Sequence, residues 1–160
     1  LRHGVDQIRK WDDVQIIWQC GAAYYNTYEN CATAKLEQVR LIEFIEDMDI
    51  AYAASDLVIC RAGALTISEL MILGKAAILI PSPNVAEDHQ TKNAKAIVDK
   101  DAAVMIKDEE MPERLFFEIR RVLDDVDFRR GLQIEIKALA LPNATSMIVD
   151  ELELLVKNKV

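Results

Sequence analysis

The stretch "DLVICRAGALTISE", residues 56–69, decides the fold. A β-branched, apolar run ends at Cys60, the short residues Ala62, Gly63 and Ala64 follow, and helical spacing is under way by Thr66, with a carboxylate at Glu69. Strand, tight turn and helix in that order form the repeating unit of an open parallel sheet, where ligands bind beyond the carboxyl ends of the strands. Gly63 lets the backbone turn sharply, and Ala64 adds little bulk, so a diphosphate can approach the first amides of the helix. Two readings stay open. Thr66-Ile67-Ser68-Glu69 fits the S/T-x-x-E capping box, in which Glu69 turns back to the N-cap amide and binds nothing else. In the other reading the amides and the Thr66 hydroxyl take a phosphate, and Glu69 accepts from the two hydroxyls of a ribose. The segment is neither G-x-G-x-x-G nor G-x-x-x-x-G-K-[ST], so the dinucleotide and P-loop fingerprints are both absent.

Outward from this unit the same alternation continues. "VQIIWQC" (14–20), "VRLI" (39–42), "AAILI" (76–80) and "AAVMI" (102–106) read as four more strands, several of them apolar throughout, as strands covered on both faces are. Helical patterns fill the gaps and supply the crossovers a parallel sheet needs, so the class is α/β, a Rossmann-like doubly wound parallel sheet. Met48 and Tyr52 share a face of a helix over 46–54, and Gly74 is placed to end the helix begun at Thr66. Asp88 is placed to cap a helix running to about Lys100. Leu115, Ile119 and Val122, then Phe128, Leu132 and Ile136, form two further stripes, and after Pro142 a last helix carries Ile148, Leu152 and Leu155 on one face. Residues 21–38, with Tyr24, Tyr25 and Tyr28, give mixed signals.

The 160 residues suit one domain, and 51% hydrophobic composition is enough for a sizeable core. A net charge of −8 argues against a nucleic-acid partner, whose footprint is basic. Cys20, Cys31 and Cys60 show no C-x-x-C spacing, which fits reduced thiols and a cytoplasmic setting. No apolar run approaches the roughly 18 residues that a membrane span requires. Leu1 opens inside an amphipathic pattern without an initiator Met, so the chain is read as a fragment.

Two other stretches belong on the same rim of strand ends. "EFIEDM" (43–48) follows a strand and puts Phe44 and Ile45 where a flat base can rest, although an FI pair taken alone is more often part of a core. "PSPNVAEDHQTKNA" (81–94) follows another and brings Asp88, His89, Gln90 and Asn93; amide side chains both donate and accept, as sugar hydroxyls require, but a solvated, capped helix start would look the same.

Taken together, "IIWQCG" (16–21), "VRLIEFIEDMDIAYAASDLVICRAGALTISELMILGKAAILIP" (39–81) and "EDHQTKNA" (87–94) resemble the MurG family, the bacterial UDP-N-acetylglucosamine transferases that make lipid II for peptidoglycan. The resemblance is densest over residues 39–94, and it implies the C-terminal, donor-binding half of a GT-B glycosyltransferase. It implies that Ile45, with Phe44 and Met48, holds the uracil. It implies that Ala64, Leu65, Thr66, Ile67, Ser68 and Glu69 take the α-phosphate and ribose, and that Gln90, with Asp88 and Asn93, meets the N-acetylglucosamine. The family's inverting reaction uses no cofactor and no tightly held metal. No catalytic base is implied within residues 1–160: the glycine-rich loop and the domain that takes the lipid I acceptor would lie upstream of Leu1. The resemblance further implies a peripheral position on the inner face of the bacterial cytoplasmic membrane, and an apolar face on 144–157 open to self-association. Two alternatives stay beside it: a stand-alone donor-binding subunit of a two-chain GT-B enzyme, and a non-catalytic Rossmann-like nucleotide-binding module.

Overall fold

In a computed structural model that describes residues 4–83 and 86–157, all five expected strands form and every pairing between them is parallel. The chain divides into two compact units, one reaching to Ser55 and the other starting at Asp56.

The first unit opens with a short helix, α1 (Val5–Ile8), then β1 (Ile16–Gln19), α2 (Ala22–Tyr28), β2 (Val39–Ile42) and α3 (Met48–Ala54). β1 and β2 pair from Ile16↔Val39 to Gln19↔Ile42. The stretch whose sequence gave mixed signals is α2 followed by a 3-10 turn at Thr33–Lys35. Its tyrosines pack by stacking: Tyr28 lies 5.2 Å from the Trp18 ring and 6.0 Å from Tyr24. Gln38 fastens the chain start by donating to the carbonyls of Ile8 (2.8 Å) and Trp11 (3.3 Å).

The second unit runs β3 (Val58–Cys60), α4 (Ala64–Leu73), β4 (Ala77–Leu79), α5 (His89–Val98), β5 (Val104–Met105), α6 (Met111–Asp124), α7 (Val126–Ala138) and α8 (Ala144–Lys157). β4 is the central strand, between β3 and β5, and Ala77, Ile78 and Leu79 are wholly buried. The expectation of strands covered on both faces therefore holds for β4. In β1 and β3 it gives way to alternation, with Ile17 and Ile59 exposed. The core of this unit takes Ile67 and Leu70 from α4, Ala94 and Ile97 from α5, Leu115, Ile119 and Val122 from α6, and Leu132 and Ile136 from α7. α4 stops at Gly74 in the left-handed conformation (φ 64°, ψ 44°), where the Lys75 amide bonds back to the Leu70 carbonyl (3.1 Å). α8 has no buried residue, so the apolar face read from the sequence is an exposed one.

Candidate nucleotide-binding loops

The turn at 61–63 delivers helix α4 two residues earlier than its Thr66 start in the sequence reading. Gly63 is the N-cap, with extended backbone (φ −70°, ψ 144°), and Ile67 is the first residue whose amide reaches a helical carbonyl, that of Gly63 at 3.0 Å. No side chain caps this end. The capping-box reading is thus corrected: Thr66 sits at the third helical position and cannot be the N-cap, because Gly63 and Ala64 accept the extended-to-helical transition without a side chain to support it. The amides of Ala64, Leu65 and Thr66 are the three that precede the helical ladder, and they aim the positive end of a ten-residue helix past the end of β3.

The side chains of this turn divide by role. Leu65 is 82% exposed, and Ser68 and Glu69 are also at the surface, whereas Ile67 belongs to the core. Of the stretch 64–69, Ile67 therefore anchors the helix, and what it has for a ligand is position alone. Ser68 Oγ donates to the Ala64 carbonyl (3.0 Å). Glu69 stands close enough to the Cys60 thiol to raise its pKa: burial first, and the Glu69 charge second, push it to about 11.

Two residues not singled out from the sequence hold the turn in place. Ala62 is fully buried, and its carbonyl accepts from Asn93 Nδ2 (3.2 Å), which ties the start of α5 to the turn. Arg61 donates to the carbonyls of Ile80 and Pro81 (3.3 Å each) and pairs with Asp108. The signal for Arg61 was present, a lone cation directly after an apolar strand, but its partner lies 47 residues on and no local pattern announces it.

The start of α5 departs from expectation in one respect. Asp88 does occupy the N-cap position but makes no side-chain cap bond, and both Glu87 (φ 52°) and Asp88 (φ 55°) adopt left-handed backbone where a capping side chain ordinarily takes an extended one. Two consecutive non-glycine residues in that region store strain of the kind concentrated at ligand-contacting segments. Gln90 Oε1 accepts from the Ser82 amide (2.9 Å), so its Nε2 end is the one turned to other partners. Gln90 and Asn93, read as sugar contacts, are each already fastened to backbone at one end.

In the first unit, Phe44 is 70% exposed, Ile45 and Met48 are half-buried, and the Ile45 amide donates to Gln19 Oε1 (2.9 Å). Phe44 is thus a surface aromatic beside a helix start, which removes it from the core reading of the FI pair. Among the described residues, no group of three His, Cys, Asp or Glu side chains is placed to hold a metal ion. Among them, too, no helix is long and apolar enough to cross a membrane.

Residues 3–139 match the model of the glycosyltransferase family 28 C-terminal domain. The chain is 49% identical over 147 residues to the UDP-N-acetylglucosamine–N-acetylmuramyl-(pentapeptide) pyrophosphoryl-undecaprenol N-acetylglucosamine transferase of Flavobacterium psychrophilum, covering 92% of this chain and 40% of that protein. The enzyme of the same name from Christiangramia forsetii is 48% identical over 160 residues, covering 97% and 42%. The chain therefore spans about 40% of the length of these relatives. Among solved structures, Acinetobacter baumannii MurG matches with a TM-score of 0.81 at 30% identity, over 94% of this chain and 44% of that one. The glycosyltransferase VinC, solved in complex with dTDP, matches with a TM-score of 0.68 at 16% identity, over 91% and 36%, and shares the fold.

Proposed function

Because the chain belongs to the glycosyltransferase family 28 C-terminal domains, we propose that it is the UDP-N-acetylglucosamine-binding domain of an inverting transferase that converts lipid I to lipid II in peptidoglycan synthesis. The observation that carries this reading is the uncapped N-terminus of α4, whose amides at Ala64, Leu65 and Thr66 follow directly on the end of β3 with Glu69 exposed one turn later. Backbone amides and a helix dipole suit a phosphate, and an exposed carboxylate suits a vicinal diol. In this role the amides and the Thr66 hydroxyl take the α-phosphate, and Glu69 accepts from the ribose hydroxyls. Phe44, Ile45 and Met48 take the uracil. Gln90 meets the N-acetylglucosamine through its Nε2 end, with Asp88 and Asn93 beside it.

The chemistry asked of these residues is leaving-group stabilisation. An acceptor hydroxyl attacks the anomeric carbon, the bond from that carbon to the diphosphate breaks, and negative charge grows on the departing UDP. A helix N-terminus oriented before the reaction stabilises that charge without reorganisation. The acceptor, lipid I, and the group that removes its proton belong to a part of the enzyme outside these 160 residues. Since lipid I is a membrane lipid, the intact enzyme works peripherally at the inner face of the cytoplasmic membrane. The exposed apolar face of α8 gives this chain by itself a route to self-association.

Isothermal titration with UDP tests the proposal. Binding in the micromolar to millimolar range, weakened at least tenfold by Glu69→Ala at an unchanged melting temperature, is the expected result. No binding of UDP or UDP-N-acetylglucosamine at millimolar ligand would overturn it.

A further inference from the structure

At the exit of β4 the parallel ladder closes with the Ile80 amide on the Cys60 carbonyl (2.9 Å) on one side and the Ile106 amide on the Leu79 carbonyl (3.0 Å) on the other. Pro81 has no N–H to carry the ladder further, and Ile80 and Pro81 are both buried, so their carbonyls need donors. One guanidinium supplies them: Arg61 Nη1 donates to the Ile80 and Pro81 carbonyls (3.3 Å each). The same nitrogen donates to Asp108 Oδ1. Asp108 opens a 3-10 turn after β5 that is held in its own right, with the Lys107 amide donating to Glu110 Oε2 (3.2 Å) and Arg114 donating to the same oxygen (2.8 Å). Asp108 thus fixes a cation that joins the ends of β3, β4 and β5.

This junction reaches ligand-facing residues in two directions. Arg61 lies two residues before Gly63, the N-cap of α4. Pro81 precedes Ser82, whose amide donates to Gln90 Oε1 (2.9 Å) and so sets where the Gln90 Nε2 end points. The turn into α4 has a second support, Asn93 Nδ2 on the carbonyl of the fully buried Ala62 (3.2 Å), whereas the Ile80 and Pro81 carbonyls rest on Arg61. We propose that Asp108 is a positioning residue of the donor site: it touches no ligand, and by holding Arg61 on the end of β4 it sets the Ser82 amide and, through it, the Gln90 carboxamide. The inference rests on the reading of Gln90 as the sugar contact. Arg61 and Asp108 are 52% and 40% exposed, so their pairing adds little to stability and its value is geometric. A guanidinium released from its carboxylate takes other rotamers, and a hydrogen bond at the far end of the chain of contacts weakens steeply as its angle opens.

Titration of UDP and UDP-N-acetylglucosamine into the full chain and its variants tests this. Asp108→Ala should weaken UDP-N-acetylglucosamine about fivefold or more and UDP by less than about twofold, within the range of coupling found between residues of one network. The melting temperature should stay within about 2 °C of the parent, because a half-exposed ion pair adds little. Asp108→Glu, which keeps the carboxylate, should recover most of the sugar-nucleotide affinity. Gln90→Ala should show the same selective loss, and Asp108→Ala added to it should lose nothing further, since both act through one contact. Unchanged affinities in Asp108→Ala, or equal losses for the two ligands, overturn the assignment, the second by making Asp108 a support of the fold alone. So does a Gln90→Ala protein that loses nothing, or a double variant in which the two losses add. In each of these cases a wild type that binds both ligands leaves the donor-binding reading intact, and a wild type that binds neither overturns both.

Discussion

Glu69 separates two roles that its sequence spacing leaves equal. As part of a capping box it would support the helix start, and its loss would lower stability by about 0.5–2 kcal/mol. With Gly63 as the N-cap and Glu69 exposed a turn and a half later, that role is gone. Glu69→Ala should therefore stay within about ±0.5 kcal/mol of the parent in thermal or denaturant unfolding, as surface changes do, while losing UDP affinity. A fall in melting temperature with affinity retained would reverse the assignment. The same carboxylate also acts on Cys60. Half-buried and beside Glu69, the thiol is raised from 9.0 to about 11, so it should stay protonated and slow to react with iodoacetamide at pH 8. Its folded pKa lies above the unfolded value, so its contribution to stability is whole below about pH 9 and is lost as pH climbs toward 11. Alkylation rates followed from pH 7 to 11.5 should rise late, and in Glu69→Gln the rise should move to lower pH. An early rise centred near pH 8.5 in both proteins would refute this.

At the scale of elements, strands and helices were legible because the residues that form them carry their own periodicity. The buried run at 76–80, the stripe Leu115, Ile119, Val122 and the stop at Gly74 all appear as read. What was not legible depends on partners distant in sequence. The start of α4 was misplaced because Thr66-x-x-Glu69 imitates a cap, whereas the real constraint comes from Asn93 on the Ala62 carbonyl and from Arg61 on the end of β4. Gly74 makes the contrast testable. Its φ of +64° disfavours any side chain, and a Cβ there would lie 3.1 Å from Lys137 Cδ and 3.3 Å from Lys137 Cβ on the neighbouring α7. Gly74→Ala should cost about 1–2 kcal/mol, a drop in melting temperature of roughly 3–6 °C for a chain of this size, and Gly74→Asn distinctly less. On α6, Glu118 is 5% exposed and held by Arg114 (3.0 Å) and Arg121 (3.1 Å), while Arg121 also lies over the Phe128 ring at 4.2 Å. Glu118→Ala leaves Arg121 without its carboxylate and Arg114 with Glu110 alone (2.8 Å), and denaturant unfolding should register a loss of about 1–3 kcal/mol, discounted from the fully buried case because both arginines keep solvent contact. A change below about 0.5 kcal/mol would show that solvent and Glu110 together serve the arginines.

For the molecule as a whole, the sequence carries the fold class better than it carries what covers its surfaces. The parallel α/β class follows from alternating strand and helix periods, and the loops proposed to hold the ligand do lie at strand ends. No periodicity can tell whether an apolar stripe meets this chain or another surface. Ile148, Leu152 and Leu155 were read as one helical face, and that face exists in α8, but Met147, Val149, Leu154 and Val156 are exposed as well, so the helix is apolar around most of its circumference. A helix of that kind is normally covered. By itself in solution the chain should associate through it, reversibly and with concentration, because the driving force is apolar area without the shape-matched pairing of an obligate interface. Sedimentation velocity from 5 to 500 µM should show the mean mass rising with concentration, more strongly in ammonium sulfate. The double variant Leu152→Glu, Leu155→Glu should hold the chain as a monomer across that range without lowering its melting temperature, since neither side chain contributes to a core. A wild type that stays monomeric at 500 µM, or a double variant that unfolds, would mean that the α8 face is already occupied within the chain.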